Sequence, residues 1–301
     1  MGFRVSYAPG YYAPIGENHV FPMRKFEGLY RYLTEQQIIP KSYVITPGMS
    51  SEADLMSVHT GRYVDAILNG NLGRKEERKL GLPWTFELGV RSRLAVRGTL
   101  NAAMMALEDG IAGNMAGGTH HAMPDGGEGF CVFNDVAVAI RVLKRSMWIR
   151  KAMVIDCDVH QGNGTAEIFK DDPDVFTFSL HGEKNYPFIK PPSNLDIGLP
   201  DKTGDNEYLD TLGTALDQIF YAFKPDIVFY LGGIDPLETD HFGRLSLTLK
   251  GLLQRERIVI KTVRKHDFPL VLLLSGGYAP TVKDTVIAHS QMFTAAREIY
   301  A

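Results

Sequence analysis

The sequence has little cysteine and no long hydrophobic run. Its only cysteines among 301 residues, Cys131 and Cys157, are too few for a disulfide framework and predict a reducing compartment, the cytoplasm. No apolar stretch approaches the roughly 18 residues of a membrane-span candidate. Residues 1–16 lack the basic and apolar segments of a secretory signal. The formal net charge of −3 gives no general reason to expect nucleic-acid binding.

Internal repeats, low-complexity tracts and obvious linkers are also absent from the sequence. We therefore predict a single domain over residues 1–301, a length that suits one large α/β unit. The one dense run of charge extends from Arg74 to Lys79. We predict that this run is a solvated loop with no part in a functional site. The oligomeric state is left open.

Apolar runs alternate with helix-like segments along the chain. Helices are predicted over Leu94–Ala112 and Val132–Ser146, with Asn134 near the start of the second. Wholly apolar strands between helices favour a mainly parallel central sheet flanked by helices on both faces, in which ligands bind beyond the carboxyl ends of the strands. The predicted strands are Ser42–Thr46, Lys151–Val159, Val175–His181, Asp226–Gly233 and Pro269–Gly277.

The segment IDCDVHQGNG, residues 155–164, carries metal-ligand chemistry at the end of a predicted strand. Alternation along a strand places Asp156, Asp158 and His160 on one side. Asp235, at the end of another strand, supplies a further carboxylate. One imidazole and two carboxylates with open positions fit a catalytic zinc, and iron(II) or cobalt(II) would also fit. The alternative is a polar cluster that only caps loops.

Two adjacent histidines, His120 and His121, stand in the glycine-rich segment GGTHHAMPDGGEGFCVFND. A lone histidine is more often structural than catalytic, but a tandem pair in a chain with a metal-ligand pattern favours catalysis. A metal-dependent hydrolase needs a base for the attacking water and an acid for the leaving amine. Histidine serves both purposes near neutral pH.

The segment SGGYAP places Tyr278 beside two glycines. Glycines let the backbone turn sharply and bring a phenol close to a ligand. A phenol can donate a hydrogen bond to the oxyanion of a tetrahedral intermediate. The alternative is an aromatic residue packed at a turn.

Together and in this order, these motifs resemble the histone deacetylase family, which has the arginase–deacetylase fold. The segment LGGIDPLETDHFGRLSLT, residues 231–248, is similar to the segment that supplies the third metal ligand in that family. The resemblance extends from about Tyr7 to Ala279. It implies a zinc-dependent amidohydrolase that removes acyl groups from lysine-like amines, with the metal held by Asp158, His160 and Asp235.

The resemblance also implies a role for each catalytic residue. His121 is expected to be the general base and later the acid, with His120 as its electrostatic partner. Asp156 is expected to orient His120, as carboxylates behind a catalytic site commonly do. Tyr278 is expected to polarise the scissile carbonyl together with zinc and to stabilise the oxyanion.

By the same resemblance, a narrow tunnel accommodates the acyl-lysine stem, and a basic residue stands at an inner cavity where the released acid leaves. Arg24, in FPMRKF, matches that basic residue. The expected tunnel residues are Gly129, Phe130, Tyr186, Gly276 and Gly277. A structural potassium site is expected at Asp156, Asp158, His160, Ser179 and Leu180, and a second monovalent site at Phe169, Asp172 and Val175.

Asn163 departs from the pattern of the best-studied deacetylase classes, in which an aspartate orients the general-base histidine. An asparagine carbonyl accepts the imidazole proton but carries no charge, so His121 is expected to be a weaker base. HQGNG, PWTFELGVRSRLAVRGTL and SLHGEKNYPF resemble class IV deacetylases and their bacterial relatives. The absence of a carboxylate directly after His160 also favours one catalytic metal over the two of an arginase-like site.

The substrate is left open by the sequence. The aspartate with which other classes grip the substrate backbone has no clear counterpart, and Glu87 lies only roughly in its region. A protein acyl-lysine and a small acylated amine such as an acetylpolyamine are both candidates, with acyl groups from acetyl to long chains. The lack of long inserted loops favours a protein or peptide. A catalytically inactive acyl-lysine binding module is the remaining alternative.

Overall fold

The computed structural model describes residues 3–17 and 19–300. Within them, one sheet of eight parallel strands has the order β2-β1-β3-β8-β7-β4-β5-β6. This sheet confirms the predicted parallel architecture. The strands are β1 Arg4–Ser6, β2 Val44–Ile45, β3 Ile111–Asn114, β4 Ala152–Asp156, β5 Val175–Gly182, β6 Leu195–Leu199, β7 Ile227–Leu231 and β8 Leu270–Leu273.

Helices flank the sheet on both faces. One layer contains α5 packed on α6, and the other contains α9 packed on α8 and α10, which in turn packs on α1. Short 3-10 helices span Pro9–Tyr11 and Lys41–Tyr43. The helices are α1 Lys25–Glu35, α2 Glu52–Leu55, α3 Gly61–Asn69, α4 Arg74–Leu80, α5 Phe86–Asp109, α6 Asp135–Arg145, α7 Asn163–Phe169, α8 Asp205–Ala222, α9 Leu249–Lys265 and α10 Val282–Tyr300.

The central strands are apolar because both of their faces are covered. Every residue of β4, β7 and β8 is buried, as expected for strands between two helix layers. Edge strand β6 instead alternates between half-buried and exposed positions over most of its length. The segment predicted as an early strand, Ser42–Thr46, is only the end of a 3-10 turn and the two-residue β2.

The charged run Arg74–Leu80 is helix α4, so the prediction of a loop is wrong. The side chain of Glu76 accepts a hydrogen bond from the backbone N–H of Gly73 at 2.9 Å and satisfies the helix start. Gly81 ends the helix in the left-handed conformation, with φ of +76°. The helix brings Lys79 to the functional site described below.

The carboxyl ends of β4, β7 and β8 lie side by side. Asp156 pairs in register with Leu231, which pairs in register with Leu273. The loops that follow these three strands therefore leave from one edge of the sheet, which is where parallel α/β sheets bind ligands.

Candidate active site

Three predicted metal ligands converge beyond β4 and β7. The possible donor atoms of Asp158, His160 and Asp235 all lie within 4.8 Å of one another. His160 Nδ1 is 3.1 Å from Asp158 Oδ1 and 3.2 Å from Asp235 Oδ2. Both aspartates are fully buried, and burial together with the Asp158 charge raises the pKa of Asp235. Paired buried carboxylates require a nearby cation, so this donor set fits a divalent metal.

The loop after β8 orients Asp158 from the opposite side. Asp158 Oδ2 accepts hydrogen bonds from Ser275 Oγ at 2.8 Å and from the Gly276 N–H at 2.6 Å. A methyl group on Gly276 would overlap carboxylate oxygens of both Asp158 and Asp235. The backbone can approach these two carboxylates this closely only because residue 276 has no side chain.

The pKa values of the two adjacent histidines are shifted in opposite directions. His120 Nδ1 lies 2.6 Å from Asp156 Oδ2. Burial opposes a charge on His120, but the Asp156 and Asp158 carboxylates outweigh it and raise the pKa of His120 to about 9. Burial and the neighbouring imidazoles of His120 and His160 hold the pKa of His121 well below its usual value. Neighbouring groups with opposite shifts can divide electrostatic and base roles.

His121 is held by an amide and not by a carboxylate. Its Nδ1 lies 2.6 Å from Asn163 Oδ1, which leaves Nε2 as the nitrogen without a proton. The Asn163 amide in turn donates to Glu128 Oε1 at 2.9 Å. The same Glu128 carboxylate accepts from the Tyr186 hydroxyl and pairs with Lys79. Sequence reasoning missed Glu128, for which the only signal is a lone acid within a glycine-rich segment.

Tyr278 is buried, and its backbone is fixed by a second residue that the sequence did not single out. The Tyr278 N–H donates to Asp240 Oδ2 at 2.7 Å, while Asp240 Oδ1 accepts from the Phe242 N–H at 2.8 Å. The ring centroid of Tyr278 lies 4.8 Å from that of Phe242 and 5.8 Å from that of Phe130. Burial and the Asp158 charge raise the pKa of Tyr278, so the phenol stays a hydrogen-bond donor.

A pocket of about 270 Å³ leads from the surface to these residues. Three of the predicted tunnel residues, Gly129, Phe130 and Tyr186, lie in its wall. The ring centroid of Tyr186 is 5.2 Å from that of His121. The full lining comprises Lys79, Leu80, Gly81, His121, Gly129, Phe130, His160, Tyr186, Phe242 and Tyr278.

A smaller cavity of about 50 Å³ lies at the catalytic residues, and two buried cations, Lys25 and Arg91, line it. Lys25 Nζ donates to the carbonyl of Ser275 at 3.2 Å, and burial lowers the pKa of Lys25 to about 8. The predicted Arg24 is exposed instead and stacks over Tyr12 in a separate outer groove. Consecutive residues at the start of a helix point about 100° apart, so only one of them can face the cavity.

The two glycines after β8 that were predicted to line the tunnel, Gly276 and Gly277, have different surroundings. Gly276 lines the inner cavity. Gly277 lines neither that cavity nor the tunnel pocket, and a side chain there would overlap Ile234. Gly277 is therefore a packing position in the described structure and not a tunnel wall.

The residues of the first predicted potassium site lie at the end of β4, in the loop after it and in β5, and those of the second extend from the end of α7 to the start of β5. Ser179 and Leu180 are buried within that strand. Ahead of it, the Asp172 N–H donates to the Phe169 carbonyl at 3.0 Å and the Val175 N–H to the Asp172 carbonyl at 3.1 Å. These contacts do not test cation binding, and both potassium sites stay predictions.

The site and fold place the chain among metal-dependent hydrolases of the deacetylase type. Residues 19–293 match the histone deacetylase domain, and the chain belongs to the histone deacetylase family. It is 44% identical to an uncharacterized protein of Picosynechococcus over all of both chains. It is 29% identical to histone deacetylase 2 of Arabidopsis thaliana over 86% of this chain and 70% of that protein. It is 30% identical to acetoin utilization protein AcuC of Bacillus subtilis, over 81% of this chain and 68% of that protein.

Solved structures support the fold. A histone deacetylase homolog from Aquifex aeolicus superposes with a TM-score of 0.81 at 24% identity, covering 100% of this chain and 88% of that one. A histone deacetylase homolog complexed with SAHA superposes with a TM-score of 0.80 at 24% identity, covering 100% of this chain and 88% of that one. Family membership implies hydrolytic deacetylation of an acetylated substrate with a divalent metal, usually zinc. Among residues 3–17 and 19–300, no helix is long and apolar enough to cross a membrane.

Proposed function

We propose that this protein uses zinc to hydrolyse the amide of N-acetyl-lysine in proteins or peptides. The observation that carries the proposal is the convergence of a three-residue donor set on a tandem histidine pair and a buried tyrosine. Asp158, His160 and Asp235 would hold the metal. When bound, it would supply Lewis acidity toward the amide carbonyl and lower the pKa of water.

The protein residues would then move the protons. His121 presents an unprotonated Nε2, because its Nδ1 proton is directed to Asn163, and it accepts a proton from the attacking water. The Tyr278 phenol donates a hydrogen bond to the developing oxyanion. His120, whose Nδ1 lies 2.6 Å from Asp156 Oδ2 and whose ring centroid lies 4.1 Å from that of His121, would stabilise that negative charge when protonated. The amine leaves with a proton from His121.

The inner cavity favours a short acyl group. Its volume of about 50 Å³ has room for only a few water-sized groups. An acetyl group fits such a space, whereas a chain of fourteen carbons (myristoyl) would require the surrounding rings of Phe21 and Phe26 to move. We therefore infer a preference for acetyl over long acyl chains.

The tunnel favours a lysine stem over a polyamine. Its lining residues, all within the described part of the chain, include aromatic rings, one cation and no carboxylate. The nearby Glu128 carboxylate is already paired with Lys79. A polyamine carries further ammonium groups beyond the acylated nitrogen, and these would find no anionic partner in this wall. A lysine side chain presents only methylenes to the aromatic rings.

A panel of lysine peptides with acyl groups from acetyl to myristoyl, run beside acetylpolyamines, tests the proposal. Turnover should be highest with acetyl peptides, disappear after chelation and return with zinc. Faster turnover of an acetylpolyamine than of any lysine peptide would contradict the proposed substrate class but still support hydrolytic activity. Acyl-lysine binding without turnover by folded, zinc-loaded protein would instead support the inactive binding module, against which the presence of every catalytic residue now argues.

A further inference from the structure

Glu128 is a buried carboxylate that touches none of the metal ligands. Only 5% of the residue is exposed. It lies behind the tunnel wall, where its oxygens accept from the Asn163 amide at 2.9 Å and from the Tyr186 hydroxyl, and pair with the Lys79 ammonium. Three donors therefore surround one carboxylate, and one of them belongs to the residue that holds the general base.

The Glu128 contact dictates the orientation of the Asn163 amide. An ionised carboxylate only accepts hydrogen bonds, so the NH₂ end of Asn163 must face Glu128. The amide oxygen then faces His121 Nδ1, 2.6 Å away. Reversal of the amide would set two oxygens against each other on one side and two N–H groups on the other. The carboxylate thus also selects the His121 tautomer, with the proton on Nδ1 and the lone pair of Nε2 available for catalysis.

The charge of Glu128 reaches His121 through the amide. Burial alone would raise the pKa of Glu128, but hydrogen bonds from Lys79, Tyr186 and Asn163 outweigh it and lower that pKa. A carboxylate at the NH₂ end polarises an amide and makes its oxygen a stronger acceptor, as in other hydrogen-bond chains within a protein.

We propose that Glu128 is a positioning residue for the general base. It fixes the orientation of the Asn163 amide. It also supplies the negative charge that Asn163 lacks, although it contacts His121 only through that amide. The series of contacts Lys79–Glu128–Asn163–His121 would then orient and polarise His121, as a carboxylate hydrogen-bonded directly to the histidine does. This inference rests on the proposed function, because it assigns His121 as the base.

A double-mutant cycle of Glu128→Gln and Asn163→Asp tests the proposal on zinc-loaded protein. In the native background, Glu128→Gln should lower kcat about 10- to 100-fold, the range for residues that orient a catalytic group, with little change in KM. In the Asn163→Asp background the same change should be neutral or raise kcat, because the introduced aspartate bonds His121 directly. An equal loss in both backgrounds would overturn the proposal, since a purely structural glutamate does not depend on the residue at position 163.

The tautomer of His121 gives a readout that does not need turnover. In ¹⁵N NMR spectra of zinc-loaded protein, the ring should carry its proton on Nδ1, and Glu128→Gln should weaken that preference. An unchanged tautomer would overturn the proposal. Absence of turnover in the native protein would instead count against the proposed function, and the NMR result would still decide the role of Glu128.

Two further variants control for folding. Glu35→Gln, at an exposed position at the end of α1, should leave kcat and the spectrum unchanged. If Glu128→Gln does not fold, Glu128→Asp keeps the charge and withdraws it from the Asn163 amide by one methylene group. It should lower kcat in the native background and not in the Asn163→Asp background, and equal losses would again overturn the proposal.

Discussion

Arg255 Nη1 donates to the backbone carbonyl of Gly233 at 2.6 Å. The same nitrogen donates to the Cys157 carbonyl at 3.1 Å. These carbonyls precede Asp235 and Asp158, so one guanidinium on α9 joins the two loops that carry the candidate aspartate ligands. Arg255 is fully buried and pairs with the equally buried Glu256 at 2.5 Å.

Replacement of Arg255 by methionine should therefore damage both stability and metal binding. Loss of one partner from a buried ion pair costs about 3–5 kcal/mol, and freed loops should weaken zinc affinity about 10-fold or more. Urea unfolding and zinc titration measure the two effects. Arg257→Met, which breaks only the exposed pair with Glu298, should cost less than about 1 kcal/mol. Equal effects of the two substitutions would show that Arg255 does not support the ligand loops.

Tyr278→Phe should reduce turnover at least about 100-fold, as for the loss of one oxyanion donor. The substitution removes only the hydroxyl, and the packing of the ring against Phe242 and Phe130 should persist. Steady-state kinetics with an acetyl-lysine peptide checks this, with Tyr221→Phe at an exposed position as the control. Activity within about tenfold of the native protein would remove Tyr278 from the mechanism.

His121→Ala should reduce turnover further than Tyr278→Phe and still retain zinc. His121 is not among the three converging donors, so its loss should remove the base without opening the metal site. Metal analysis after dialysis, with His160→Ala as the comparison that should lose zinc, separates the two roles. Zinc loss from the His121 variant would mean that the base and a ligand have been confused.

Acid should destabilise the protein through His59, which lies remote from the metal ligands. Its ring is buried, with Nδ1 3.0 Å from the Met123 carbonyl and Nε2 accepting from the Asn134 N–H at 3.0 Å. Burial lowers the pKa of His59 from 6.5 to about 4. The folded state therefore favours the neutral ring, and this stability is complete above pH 6.5 and lost as the pH falls toward 4.

The loss through His59 should amount to about 3 kcal/mol. It is measured as the difference in pH dependence of the unfolding free energy between the native protein and His59→Gln, which cannot titrate there. The variant should show the flatter profile between pH 6.5 and 4. Parallel profiles would show that His59 is not the titrating group.

The long apolar strands and the clustering of two candidate metal ligands were predictable, because each is encoded within a few consecutive residues. Strands β4, β7 and β8 are continuous buried runs followed by polar residues, and alternation alone groups Asp158 with His160. Strand β1 is too short and β6 too exposed to give such a signal, and the sequence of β3, IAGN, contains only two apolar residues. The partners of the catalytic groups come from distant segments: Glu128 meets Asn163 only through the tertiary fold.

The buried cation at the inner cavity, Lys25, shows the same limit of prediction from sequence, here at the level of one residue. Neighbouring positions at the start of a helix face different directions, so a sequence match displaced by one position selects the wrong side chain. The structure therefore brings Lys25, and not Arg24, to the inner cavity. No property of the two side chains would have distinguished them, since both are long cations.

The contact between Gly276 and Asp158 also bears on the order of synthesis, folding and metal binding. All three donor residues have been synthesised once residue 235 leaves the ribosome, but the backbone N–H that orients Asp158 belongs to a later segment. That segment reaches the aspartates only after β8 has joined the sheet between β3 and β7. We therefore expect high-affinity metal loading to be a late step of maturation, and a chain truncated before β8 should carry all three proposed ligands and still bind metal poorly.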